Sequence, residues 1–273
     1  MTPEDPIVQW KARAGDCPAG GVRVVLADVD GVITAGEGQP ADLPLLARLM
    51  DINRTALVDP QVPAVTLCTG RPAPYVEALA QMIGAFLPCI FEHGAGLFYP
   101  RSFQYVFSPA LGSDYAANLA NLRGAVEPLL RSGLAFVQPG KEASMTLYPL
   151  GSASFEALLE AATAAAAPLG GFFTVEPNAT AVEVRPRGID KGTGARWLAE
   201  VVDVPLAEFA GVGDSATDLP FLRVVGHPAA PANAAPAVRA EVADIASACY
   251  AEGLLEIVGR LASANKLLAN PGS

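Results

Sequence analysis

Two carboxylates at a spacing of two, Asp28 and Asp30, are followed at once by glycine in the run Asp28-Val29-Asp30-Gly31-Val32. The run stands directly after an apolar stretch, and its glycine lets the chain turn sharply there. One carboxylate so placed can attack an electrophile while its neighbour handles a proton. A plain polar turn after a strand would use the same residue types. Thr69-Gly70-Arg71-Pro72 sets a hydroxyl, a backbone N–H and a guanidinium where they could face one anion at a helix start. Thr69 with Pro72 would serve equally as a helix cap.

The segment Phe209-Ala210-Gly211-Val212-Gly213-Asp214-Ser215-Ala216-Thr217-Asp218 repeats the arrangement, with Asp214 at a strand end and Asp218 one helical turn on. With Asp28 that gathers three carboxylates at one sheet edge. Two such charges about 4 Å apart repel by roughly 4 kcal/mol at an effective dielectric of about 20, so the cluster calls for a cation. A small, all-oxygen site points to Mg2+. Lys191, in Gly188-Ile189-Asp190-Lys191-Gly192, opens a helix. Its charge there opposes the helix dipole by a few tenths of a kcal/mol, so a negative partner would relieve it.

The elements that must position these groups follow from hydrophobic pattern. Arg23 to Ala27, Ala64 to Cys68, Cys89 to Phe91, Phe209 to Val212 and Arg223 to Val225 read as buried strands. Leu43 to Ile52, Pro74 to Phe86, Gly192 to Val202 and Thr217 to Leu222 carry helical spacing. Alternation of the two predicts an α/β fold with a doubly wound parallel sheet, whose ligands bind beyond the carboxyl ends of the strands. The middle of the chain differs. Ser144 to Tyr148 and Thr180 to Arg185 alternate polar with apolar, as half-buried antiparallel strands do, beside the helical stretches Tyr115 to Leu130 and Ser154 to Ala166. The expectation is an α+β domain, residues 97–185, inserted into a core of residues 1–96 and 186–273. The first twenty residues and the tail from Asn270 are expected to be loosely ordered.

Taken together, Asp-x-Asp-Gly, a strand-end Thr, a Lys and Gly-Asp-Ser-x-x-Asp resemble, in order and character, the four motifs of the haloacid dehalogenase superfamily. The long gap between Thr69 and Lys191 is similar to members with a C2-type cap, and its helix-strand-strand duplication resembles the C2B subtype. Cof-like phosphatases and those acting on sucrose phosphate, trehalose phosphate and mannosyl-phosphoglycerate share that organisation, and Asn233-Ala234-Ala235-Pro236 resembles the Cof-like segment after the fourth motif. Two positions depart from the pattern: Val32-Ile33 stands for the usual Thr-Leu, and Thr217 for Asn.

The resemblance implies a Mg2+-dependent phosphomonoester hydrolase. Asp28 would be the nucleophile, forming an aspartyl-phosphate, and Asp30 would protonate the leaving group and then deprotonate water. Mg2+ would be held by Asp28, the Asp30 backbone carbonyl and Asp214, with Asp218 a ligand through water or a partner of Lys191. Gly31, Thr69, Gly70 and Lys191 would bind the phosphoryl oxygens. Arg71, Lys141, Ser144 and Glu183 are candidate specificity residues, Lys141 and Glu183 resembling sugar-contacting positions of trehalose-phosphate phosphatases; a solvated cap face would carry the same charges.

Composition sets the bounds. With 273 residues and 51% hydrophobic, the chain can fill a core. A formal net charge of −10 disfavours nucleic acid and anionic membranes as partners and leaves a small phosphorylated metabolite, provided positive charge is concentrated locally. Cys17, Cys68, Cys89 and Cys249 form no CxxC pair and read as reduced thiols, and Met1 to Pro6 lacks the pattern of a signal peptide, so a cytoplasmic location is expected. A phosphomutase shares the implied intermediate. A phospho-accepting signalling module would lack the insertion, a dehalogenase would not need Asp214 and Asp218, and an esterase reading of Gly213 to Thr217 lacks the final glycine of the nucleophile elbow.

Overall fold

The computed structural model describes residues 6–13, 16–151, 153–178 and 180–270. In chain order its first part runs α1 (Pro6–Ala12), β1 (Val24–Ala27), α2 (Leu43–Ala56), β2 (Ala64–Leu67), α3 (Ala73–Met82) and β3 (Cys89–Phe91). The middle runs β4 (Gly96–Tyr99), β5 (Gln104–Phe107), α4 (Tyr115–Arg131), β6 (Ala135–Val137), β7 (Met145–Pro149), α5 (Phe155–Ala166), β8 (Phe173–Pro177) and β9 (Val182–Pro186). The last part runs α6 (Lys191–Val202), β10 (Phe209–Val212), α7 (Leu219–Leu222), β11 (His227–Ala230), α8 (Pro236–Arg239), β12 (Asp244–Ile245) and α9 (Tyr250–Ala269).

The expected doubly wound sheet is present, parallel and five-stranded in the order β12-β11-β10-β1-β2. All four residues of β1, β2 and β10 are buried, because helices cover both faces, and their near-continuous apolar runs are what such strands require. Register does the positioning. Ala27 pairs with Val212 on one side and with Leu67 on the other. The residues next in line, Asp28, Gly213 and Cys68, therefore leave the sheet at one level. Asn53 of α2 secures the edge strand, donating to Val65 O and Ile83 O (3.1 and 2.8 Å) and accepting from Val65 N (2.8 Å).

The inserted cap is a separate antiparallel sheet, β6-β7-β9-β8, packed on α4 and α5 around Leu122, Val126, Leu147, Leu158, Val182 and Val184. The order α4-β6-β7-α5-β8-β9, with β7 and β9 paired at the centre, carries the expected duplication. Strand β4 pairs with both β3 and β5 in a small antiparallel sheet of their own. Among the described residues no helix is long and apolar enough to cross a membrane.

Two expectations fail. Arg223 to Val225 is not a strand: Val224 N and Val225 N donate back to Phe221 O (3.1 and 3.3 Å), continuing the turn of α7, and the strand forms later at β11. Nor are residues 6–13 loose, while residues 1–5 and 14–15 of that expected stretch lie outside the described residues. Residues 6–13 contain helix α1, whose Trp10 is buried edge-on to Phe86 with the Arg23 guanidinium 4.8 Å above its ring. The loose tail was expected from Asn270, and residues 271–273 of it lie outside the described residues.

Candidate active site

Asp28 follows β1 and is almost wholly buried. Lys191, first residue of α6, reaches it from the next layer: Nζ lies 2.8 Å from Asp28 Oδ1 and 2.6 Å from Asp218 Oδ1. Asp190 caps α6 by accepting from Thr193 N at 2.8 Å, so the helix start is fixed where Lys191 must point inward. The negative partner that the helix dipole asks for is thus a pair of aspartates. Burial works against the Lys191 charge, but Asp218 and Asp28 outweigh it and hold the ammonium above its usual pKa. Burial, with Asp218 nearby, raises the Asp28 carboxyl well above its ordinary range, and Lys191 opposes that rise.

Asp218 is fully committed. Its Oδ1 takes Lys191, and its Oδ2 accepts from Asp214 N, Ser215 N (both 2.9 Å) and Ser215 Oγ (3.1 Å). Of the two roles expected for it, partner of Lys191 matches these contacts. Asp214 is different, since its Oδ1 is buried with no hydrogen-bond partner, and burial followed by Asp218 pushes its carboxyl up to about 7. Carboxylate oxygens of Asp28, Asp214 and Asp218 lie within 4.8 Å of one another. An orphaned, buried carboxylate oxygen beside another carboxylate, with oxygen donors throughout, fits a small divalent cation such as Mg2+.

Gly31 is required twice over. Its φ is +87°, and a Cβ there would lie 2.1 Å from Asp214 Oδ2. Its N–H, expected to face a phosphoryl oxygen, donates instead to Thr34 O at 2.8 Å and closes the turn. Thr69 is buried at the end of β2, and its Oγ1 accepts from Arg71 N at 3.1 Å, leaving the hydroxyl proton to donate. It is not a helix cap, because α3 begins four residues later with Pro72 in the capping position.

Arg71 grips Asp30 with two parallel bonds of 2.7 Å each, from Nε to Oδ2 and Nη2 to Oδ1, and its Nη1 lies 3.5 Å from Glu37. The carboxylate expected to move a proton is held by a guanidinium in this arrangement.

Asp28, Asp30, Thr69, Gly70, Arg71 and Lys191 all line a cavity of about 540 Å³ whose far wall is the cap, with Lys141 and Glu183. Lys141 Nζ lies 3.2 Å from Glu183 Oε2 and also donates to Thr146. Burial opposes ionisation of Glu183, yet His93 and Lys141 bring its carboxyl down to about 2. The solvated-face reading therefore fails for this pair, as both residues are buried. Ser144 is corrected. It does not line the cavity but donates to Glu92 Oε2 at 2.7 Å, beside bonds from Glu142 N and Ala143 N (2.7 and 2.9 Å) to the same carboxylate.

Glu92 and His93 are the residues sequence reasoning missed. They follow β3 with φ values of 45° and 59°. The position just after a buried strand was the only signal that could have found them.

A family model described as haloacid dehalogenase-like hydrolase matches residues 153–258. The chain is 31% identical over 242 residues to a phosphoglycolate phosphatase of Halorubrum lacusprofundi, covering 86% of this chain and 95% of that protein. A phosphoglycolate phosphatase of Methanothrix thermoacetophila is 36% identical over 87 residues, a local match spanning 32% of this chain and 39% of that protein. Among solved structures, the sucrose-phosphatase from Synechocystis in complex with sucrose and phosphate superposes with a TM-score of 0.62 at 14% identity, covering 88% of this chain and 98% of that one. Motif order, sheet topology and the near full-length relative agree: the chain belongs to the haloacid dehalogenase-like hydrolases.

Proposed function

We propose that the protein is a phosphatase that hydrolyses a small phosphorylated metabolite through an aspartyl-phosphate on Asp28. The observation carrying this reading is the buried constellation at the carboxyl ends of β10, β1 and β2: a nucleophilic carboxylate 2.8 Å from a fixed ammonium, beside an orphaned second carboxylate. Residues 97–185 act as the cap over a core of residues 1–96 and 186–273, and the protein works in the cytoplasm.

In the proposed mechanism Asp28 attacks phosphorus while Lys191 and the Thr69 hydroxyl, with the Gly70 N–H, stabilise charge on the phosphoryl oxygens. Asp28, Asp214 and the Asp30 carbonyl would hold Mg2+, which supplies charge neutralisation at the phosphoryl group. Asp218 keeps Lys191 oriented and ties down the loop bearing Asp214. Once Arg71 has released it and it has taken a proton from solvent, Asp30 protonates the leaving alkoxide; the resulting carboxylate then takes a proton from the water that cleaves the aspartyl-phosphate and returns it to solvent. Lys141 and Glu183 face the organic part of the ester, with Arg71 at the boundary. A cavity with two basic side chains beside the phosphoryl site suits a short ester bearing a carboxylate or hydroxyls. The relatives named phosphoglycolate phosphatase favour a phosphorylated hydroxy acid within the wider class of sugar, polyol and glycerate phosphates.

The test is phosphate release from phosphoglycolate, phosphoglycerates, and sugar and polyol phosphates, with Mg2+ or with chelator. Release is expected with Mg2+ only, and Asp28→Asn should reduce it by at least about a thousandfold. Release that survives chelator or Asp28→Asn refutes the reading, and isomerised ester without free phosphate would mark a mutase.

A further inference from the structure

Both ring nitrogens of His93 are buried and, among the described residues, lack a hydrogen-bond partner. Leaving a buried polar group unpaired costs about 1–3 kcal/mol, which an aliphatic side chain would avoid. The backbone is costly too, since φ of 59° is left-handed and His93 is not glycine. Two bonds enforce that conformation, from Glu92 N to Arg71 O (3.1 Å) and from His93 N to Thr69 O (3.0 Å). The ring consequently packs against the loop at Gly70, where a Cβ would stand 2.3 Å from Nε2. From there Nε2 faces Glu183 Oε2 on β9 of the cap at 3.5 Å, without hydrogen-bond geometry. Burial pushes the imidazole down to about 4, so it is neutral, with one donor and one acceptor nitrogen. Lys141 and Thr146 hold the same carboxylate from the cap side, Thr146 Oγ1 donating to Oε1 at 3.0 Å. A core residue is therefore aimed at a cap carboxylate whose oxygens are already held by Thr146 and Lys141 and which still lines the cavity.

We propose that His93 is a positioning residue for Glu183: as the cap settles on bound substrate by about half an ångström, Nε2–H donates to Oε2 and fixes the carboxylate against the substrate's organic part. This rests on the reading of Glu183 as a substrate contact. It couples the phosphate loop at Gly70 directly to the wall that chooses the ester.

The test compares kcat and KM for phosphoglycolate and for p-nitrophenyl phosphate, whose aryl group offers no hydroxyl or carboxylate, in His93→Leu, His93→Asn, Glu183→Gln and the Leu/Gln double variant. In His93→Leu the preference for phosphoglycolate should fall about tenfold, mainly through KM. Asn, which keeps a donor, should recover part of it, and the double variant should fall no further than Glu183→Gln alone. If Glu183→Gln loses the preference while His93→Leu keeps it, or if the two losses multiply, the inference is overturned. If Glu183→Gln itself keeps the preference, the reading of Glu183 as a substrate contact fails and the inference with it. A readout independent of turnover is the 15N spectrum of the histidine rings, of which the chain has 2. With phosphoglycolate added, native His93 should show the Nε2–H tautomer and Glu183→Gln should lose it; an Nδ1–H tautomer in the native protein overturns the assignment.

Discussion

Replacing Lys191 by Met removes one ammonium and keeps most of the side-chain volume, so the change isolates charge. The ammonium sits 2.8 Å from Asp28 and 2.6 Å from Asp218. At an effective dielectric of about 20 each attraction is roughly 6 kcal/mol before desolvation, and desolvation of the buried lysine offsets much of it. Removing one partner of a buried pair costs about 3–5 kcal/mol, mostly because the remaining charge is stranded. That is a large share of the roughly 5–15 kcal/mol by which domains are stable, so the variant folds with a thin margin. The pH dependence has a definite sign. In the native protein Lys191 has a raised pKa, so its contribution is complete below the usual 10.5 and undiminished from pH 5 to 8. In the variant the stranded carboxylates hold a proton that the unfolded chain releases, so the deficit grows with pH, by at most about 1.4 kcal/mol per unit. Urea unfolding in chelator at pH 5 and pH 8 measures it. Adding Asp218→Asn should recover more than half of the loss. A deficit below about 1 kcal/mol, or one that does not change with pH, would refute the account of Lys191 as the charge that makes this buried carboxylate cluster tolerable.

Three further outcomes follow from the same geometry. Mg2+ should raise the melting temperature of the native protein and not of Asp214→Asn; because the Asp214 carboxyl stands at about 7 without metal, protons compete and the increment should be larger at pH 8 than at pH 6, read by differential scanning fluorimetry. Glu92→Ala strands the buried Ala143 N–H and Ser144 hydroxyl and frees the part-buried Glu142 N–H, so it should cost about 3 kcal/mol and speed amide exchange at Glu142 and Ala143. On the acid side, His93 has a lowered pKa, so the stability it confers is present above about 6.5 and lost toward about 4, while that from Glu183 is present above about 4.5 and lost toward about 2. Urea titrations should show the first loss, worth about 3 kcal/mol, disappear in His93→Leu.

The phosphate-side residues were legible because each stands directly after a buried parallel strand, and parallel strands end on one edge. Asp28, Thr69 and Asp214 needed only the apolar runs of β1, β2 and β10 to be placed together. Lys191 was legible by contrast, as a cation at a helix start with no reason to be there unless an anion faced it. The cap side resisted for a geometric reason. Lys141 and Ser144 are three apart, yet the Glu92 carboxylate draws residues 142–144 toward the core, so Lys141 meets the cavity and Ser144 does not. For His93 the only local sign is its place just after β3, since the proposed role depends on a left-handed backbone and on a cap residue far along the chain. Helix α9 carries helical spacing in Leu254, Leu255, Ile257 and Val258, but no chemistry-bearing residue marks it as part of the site.

The charge balance of the cavity bears on how an acidic protein takes an anionic ester. Lys191, Arg71 and Lys141 are its cations, and none is free: Lys191 holds Asp28 and Asp218, Arg71 holds Asp30 and lies by Glu37, and Lys141 holds Glu183. Asp214 adds a carboxylate with no cation of its own among the described residues. The resident carboxylates outnumber the resident cations, so a phosphate dianion arriving alone would meet net repulsion in addition to the field of a chain with net charge −10. Proton uptake by the raised carboxyls of Asp28 and Asp214 would relieve that repulsion only by disarming the nucleophile. A divalent cation held by Asp28 and Asp214 would relieve it while leaving Asp28 ionised. On the proposed mechanism the same balance predicts an order: phosphoglycolate should bind measurably more weakly in chelator than with Mg2+ present, and Arg71, paired with Asp30, would turn to a substrate that brings a competing anion.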